Sequence, residues 1–132
     1  MSTRELIGKV IGNIHVFLKV DVGGLDEGFV FIELTDGKVV EIPWDFESEN
    51  VMAELHTEAE IVWNTKFQNQ RITNFIQINN SLDRGFLELE NGMMITEVAV
   101  APHGTGLAGL RFFETRSDFE LVVGVDYNCL VN

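Results

Sequence analysis

The chain carries a single cysteine, Cys129. One thiol excludes an internal disulfide and any cysteine cluster for a metal. Near a strand end it reads as a small apolar residue, not a redox group. Basic residues are also scarce. Nine Lys and Arg face 21 Asp and Glu, for a formal net charge of −12. A field of that sign repels nucleic acid and anionic membranes and attracts basic partners. Aromatic platforms that stack bases need a positive groove beside them, and bases spread singly along the chain do not form one. No apolar run reaches the roughly 18 residues of a membrane span. The opening Met1-Ser2-Thr3-Arg4-Glu5 lacks the apolar stretch and small-residue cleavage site of a signal peptide. With the lone cysteine, this places the expected location in the cytoplasm. No proline-rich or serine-rich linker divides the 132 residues, so one domain over 1–132 is expected, long enough to bury a core.

What is present is a repeated phrase. Phe31-Ile32-Glu33-Leu34-Thr35-Asp36-Gly37 returns 55 residues later as Phe86-Leu87-Glu88-Leu89-Glu90-Asn91-Gly92. Each copy is a short strand running into Asp-Gly or Asn-Gly, a strong hairpin signal because tight primed turns need positive φ. Two β-hairpins, about 29–44 and 86–100, therefore form an internal repeat. With Asp36 and Gly37 as the two turn residues, Phe29, Phe31, Val40, Ile42 and Trp44 line one face with Glu33. Val30, Ile32, Leu34 and Val39 line the other with Glu41. Both faces are apolar, so the hairpin is expected to be covered on both sides.

Elsewhere, Leu6 to Val22 is β-branched and apolar, with a bend at Gly12-Asn13, and Gly23 to Gly28 reads as a loop. Pro43 ends a strand. Asp45 to Thr57 holds the one expected helix, near 46–57, capped by Asp45 or Ser48. Glu60 to Phe67 and Arg71 to Asn79 read as strands. Leu107 to Thr115 and Phe119 to Val125 read as a last hairpin about Arg116-Ser117-Asp118, with a short strand after Tyr127. The expected fold is mainly β, with two related antiparallel halves forming a sandwich or partly closed barrel and one short helix.

Catalytic signatures are few. Gly104-Thr105-Gly106-Leu107-Ala108-Gly109 matches G-x-G-x-x-G, with Asp126 as the later acid. The sequence after Gly109 does not read as the helix that a pyrophosphate needs, so no cofactor is assigned. His103 lies in a loop, where functional side chains concentrate. Glu88, Glu97 and Glu114 are its candidate partners. It is expected to line no deep polar pocket and to bind no metal. His15 and His56 share no close metal-ligand spacing with it. The equivalent Glu33 and Glu88 could pair as an acid–base couple or, more plainly, meet Lys or Arg.

The acids are uneven. No Lys or Arg lies between Lys38 and Lys66, while Glu41, Asp45, Glu47, Glu49, Glu54, Glu58 and Glu60 do. This window is either a solvated face or a docking surface for a basic partner. On the two hairpins and this window, the chain resembles the small acidic β-rich immunity proteins that bacteria use to neutralise toxins. The resemblance implies a non-enzymatic inhibitor, steered by charge onto the basic cleft of a toxin or nuclease through the window residues. It assigns no catalytic residue, metal or cofactor. Two other classes stand beside it: a structural or regulatory subunit assembling through sheet edges, and a small-ligand protein or enzyme with a site near His103. Oligomeric state is not legible.

Overall fold

The computed structural model describes residues 3–41, 46–47, 60–61, 64–79 and 85–132. The fold is mainly β, with two antiparallel sheets packed as a sandwich. The first half opens with a single helical turn α1 (Thr3–Leu6), then β1 (Ile11–Lys19), β2 (Leu25–Leu34), β3 (Val39–Glu41), β4 (Phe46–Glu47) and β5 (Glu60–Ile61). The second half repeats that order: the turn α2 (Asn64–Phe67), then β6 (Ile72–Ile78), β7 (Phe86–Leu89) and β8 (Met94–Val98). It continues with β9 (Val100–Pro102), β10 (Gly109–Phe113), the helix α3 (Arg116–Val123) and β11 (Tyr127–Cys129). Sheet one runs β4-β3-β2-β1-β5, with β9 also on β2; sheet two runs β10-β8-β7-β6-β11.

The halves share a backbone frame. Gly8 N–H donates to Ile72 C=O and Asn69 N–H to Ile11 C=O, both at 2.8 Å. Ile11 N–H donates to Gln70 C=O at 2.9 Å and Ile72 N–H to Lys9 C=O at 2.8 Å. Each bond has its counterpart with the halves exchanged, which is local two-fold symmetry within one chain. Gly8 and Asn69 occupy matching positions and both have positive φ, 92° and 64°. Asparagine is among the few side chains that tolerate that region. A bulge falls between Ile11 and Asn13 and again between Ile72 and Asn74. In β1 it lets Ile11 and then Ile14 and Val16 all reach the core, although strict alternation would turn Ile14 outward.

Both repeated turns differ from the two-residue form expected. Leu34 C=O accepts from Gly37 N–H at 3.0 Å, and Leu34 N–H donates to Lys38 C=O at 2.8 Å. Leu89, Gly92 and Met93 do the same at 2.9 and 2.8 Å. These are three-residue loops in which Thr35-Asp36 and Glu90-Asn91 form the turn and the glycine follows at positive φ, 93° and 91°. The Asp36 and Asn91 side chains each accept the backbone N–H two residues on. The extra residue moves the register by one: Glu33 sits opposite Val39, and Val40 opposite Ile32. Val40 is therefore buried with Val30 and Ile32, while Glu41 joins Phe31 and Glu33 on the outer face, the reverse of the expected assignment.

The segment 64–67, expected as strand, is helical, and so is the second arm of the expected last hairpin. Thr115 Oγ1 accepts Asp118 N–H at 3.1 Å, which caps α3, and Gly124 at φ 112° ends it. The spacing of Phe119, Leu121, Val123 and Val125 mimics a strand, but of α3 only Phe119 is buried. Its ring meets Phe86, Phe113 and Tyr127 at centroid distances of 5.0, 5.8 and 5.6 Å. This cluster covers the outer face of sheet two, and the larger core lies between the sheets. Of the expected helix near 46–57, Phe46–Glu47 is strand β4, and the rest lies outside the described residues.

Two outcomes follow for stability. Gly37→Val and Gly92→Val should each destabilise by about 1 kcal/mol or more in urea titrations, through φ alone, because a Cβ at either position meets nothing within 4 Å. Asparagine at the same positions should cost less. Phe119→Ala should cost about 3–5 kcal/mol and release α3, read as loss of near-ultraviolet circular dichroism.

Candidate functional site

Of the acidic window, Glu41, Glu47 and Glu60 lie among the described residues. Glu41 stands on the outer face of β3, level with Phe31. Glu47 lies on β4 opposite Val40, and Glu60 on β5 opposite Val16. Strands β4 and β5 are opposite ends of sheet one, so the described window acids are spread across that sheet. Asp45, Glu49, Glu54 and Glu58 lie outside the described residues.

The long hairpin β1–β2 ends in the exposed segment 18–25, and its tip is built around Asp26. Gly24 N–H donates to Asp21 C=O at 3.0 Å, which makes a turn over Asp21-Val22-Gly23-Gly24 with Gly23 at φ 97°. A glycine at the third position is what a type II turn requires. Asp26 Oδ1 accepts Asp21 N–H at 3.1 Å and lies 2.9 Å from His103 Nδ1; Gly104 N–H adds a further bond. An ionised carboxylate only accepts, so Nδ1 carries the proton. His103 N–H donates to Gly24 C=O at 3.0 Å, and β9 pairs with β2 through Leu25–Pro102 and Glu27–Val100. The tip and the 102–106 loop are thus locked together. The His103 bond first, and then the backbone bonds, hold the Asp26 carboxyl below its ordinary value.

His103 therefore does meet a carboxylate, though none of Glu88, Glu97 or Glu114. Its ring is 34% exposed, on a turn. Nothing local links it to Asp26, 77 residues away in sequence, which is why the pairing is invisible to motif reading. Glu88 is gripped by Arg116 through Nε at 2.9 Å and Nη2 at 2.7 Å. Glu33 accepts from Asn13 Nδ2 at 3.1 Å and lies 3.2 Å from Nε2 of buried His15; the amide and then the imidazole hold its carboxyl below the usual range. Matching positions in the repeat thus serve different partners, and Glu33 and Glu88 form no acid–base couple with each other. Glu114 bonds Lys66 at 3.1 Å. Glu97 is buried, and its Oε2 accepts Val30 N–H at 2.8 Å. That amide falls in the gap between the stretches of β2 paired to β3 and to β9. Leaving it unpaired in the interior would be costly.

The glycines from Gly104 to Gly109 lead into strand β10, not into the helix that the dinucleotide pattern needs next. Gly28 and Gly109 bring the hairpin and β10 together: a Cβ on Gly28 would fall 2.2 Å from Gly109 N. Among the described residues, no group of three or more His, Cys, Asp or Glu side chains could hold a metal ion. Nor is any helix among them long and apolar enough to cross a membrane. No family model, curated protein or solved structure matches the chain.

The tip lock should depend on pH. Because the folded Asp26 pKa is depressed, its contribution is complete above the ordinary 3.8 and is lost as pH falls through the lower folded value. In an NMR titration from pH 6 to 2, the Asp21 and Gly104 amide protons should shift together with a midpoint below 3.8. A midpoint at or above that value contradicts the lock. Asp26→Asn should abolish the shared transition.

Proposed function

We propose that the chain is a cytoplasmic, non-enzymatic acidic binding protein that docks on the basic surface of a partner such as a toxin or nuclease, as an immunity-type inhibitor does. The observation that carries this reading is the surplus of carboxylates and the way the few bases are used. Lys9 is held by Asp36 at 2.7 Å, Lys66 by Glu114 at 3.1 Å and Arg116 by Glu88 at 2.7 Å. Bases tied to neighbouring acids do little to offset the field of the rest, and the chain as a whole stands at −12. Such a field raises the encounter rate with a cationic surface and discourages polyanions. It acts through the overall balance and does not require the window acids to share one face.

The second reading, assembly through sheet edges, is favoured by one feature: β10 and β11 are the outer strands of sheet two, where strand addition is possible. A mass that rises with concentration would support it.

For the first reading, the partner retained from the native host at low salt should be basic. Its on-rate should fall as salt rises and fall again for the combined Glu47→Lys, Glu49→Lys, Glu54→Lys and Glu58→Lys variant, whose folding is checked by circular dichroism. An on-rate indifferent to both salt and reversal overturns charge-steered docking.

A further inference from the structure

Among the described residues, six of the ten exposed large apolar side chains lie on the β1–β2 tip and the segments beside it; the other four, Leu121, Val122, Val125 and Val131, lie on and after α3. Val22 is 83% exposed, Val20 59%, Leu25 53% and Leu18 51%. Leu107 at 63% and Val100 at 51% join them from the second half. Pairing brings these segments together. Glu27 is opposite Val100, and the Leu18 side chain lies 3.2 Å from the Cβ position of Gly109, two residues past Leu107. Exposed apolar residues that stand singly need no explanation; a group on one projection, rimmed by charge, marks an interaction site. The rim is acidic: Asp21 lies in the turn beside Val22, and Glu27 borders Val100, with Lys19 opposite Glu27 as the local base.

The tip is also held still. Its turn is closed by the Asp21–Gly24 bond, its carboxylate hub is Asp26, and the 102–106 loop bonds it through both His103 N–H and the imidazole. A floppy apolar loop would pay ordering entropy on binding, whereas a locked one has already lost that freedom. A β-branched residue fixed at the end of a rigid projection is suited to entering a depression on another molecule.

We propose that the β1–β2 tip is the apolar centre of the docking surface, with Val22 and Leu18 entering an apolar depression on a basic protein whose cations meet Asp21 and Glu27. This rests on the charge-steered reading above and adds where contact is made. The charge selects the occupant. A second copy would bring two acidic rims together, and anionic lipid would be repelled.

The test uses the whole chain and a defined probe, a fluorescein-labelled amphipathic peptide of alternating lysine and leucine pairs, followed by anisotropy at low salt. Val22→Ser with Leu18→Ser should weaken binding about ten-fold, the scale of losing anchor side chains from an interface. The exposed Leu121→Ser on α3 should leave it unchanged. Circular dichroism checks that each variant is folded. Tip variants that bind like the parent, while the charge-reversal variant binds weakly, overturn the tip and leave charge steering standing. No binding by the parent, or binding indifferent to the reversal, overturns both. Equal loss with Leu121→Ser marks unspecific adhesion and overturns the tip. A parent that sediments as a dimer dispersed by Val22→Ser makes a second copy the occupant. Binding of uncharged phosphatidylcholine vesicles makes it a lipid surface. Each of those two results also overturns the proposal.

Discussion

The architecture depends on a short reciprocal bridge between residues 8–11 and 69–72. Four backbone hydrogen bonds are exchanged there, each half giving what it receives. Backbone groups in a protein interior must be paired, so a segment that satisfies its partner's donors and acceptors while its own are satisfied fixes one geometry. From that bridge the two hairpins depart in matching directions. Thr35 N–H reaches Val10 C=O and Glu90 N–H reaches Arg71 C=O, which anchors each turn back to the bridge. Leu6 and Phe67, at the ends of the two helical turns, are fully buried beside it. The sheets then face each other, and the side chains of Ile14, Val30, Ile32, Leu87 and Ile95 close the space between them.

Against this shared frame the side chains diverge. Glu33 faces His15 and Asn13, whereas Glu88 faces Arg116. Thr73 Oγ1 bonds Glu88 C=O, while Gly12, its counterpart, lies close to Glu33 C=O with no side chain. Lengths diverge too. Strands β1 and β2 have 9 and 10 residues, β6 and β7 only 7 and 4. The second half spends its surplus chain on β9, β10 and α3, which cover its own outer face and prop the longer hairpin of the first. One half has become the support and the other the projection.

Local chemistry was legible where it is self-contained. The Asp-Gly and Asn-Gly signals located both turns, because positive φ is a property of the glycine itself. The register slipped by one because a two-residue and a three-residue loop share that signal and differ only in which bonds close them. The 116–123 segment alternates like a strand at Phe119, Leu121, Val123 and Val125, yet it is helical, because Thr115 caps it and a single buried anchor, Phe119, holds it to the sheet. The Asp26–His103 contact had no cue at all, since it exists only once β9 has crossed to β2. Neighbours in sequence need not be neighbours in a sheet: among the described acids of 41–60, Glu47 and Glu60 lie on strands at opposite ends of sheet one.

The chain that leaves sheet two at Val98 pairs with sheet one from Val100 onward. The layers are therefore tied at both ends of β1, by the reciprocal bridge where that strand begins and by this crossing where it ends. Two anchors at opposite ends of one strand remove both sliding and rotation between layers. The crossing strand follows the hairpin to its tip, where His103 N–H meets Gly24 C=O, so the projection is braced along its length. A load applied at Val22 passes along β9 into β8, which is held between β10 and β7 in the second sheet, instead of being taken up by yielding side-chain contacts.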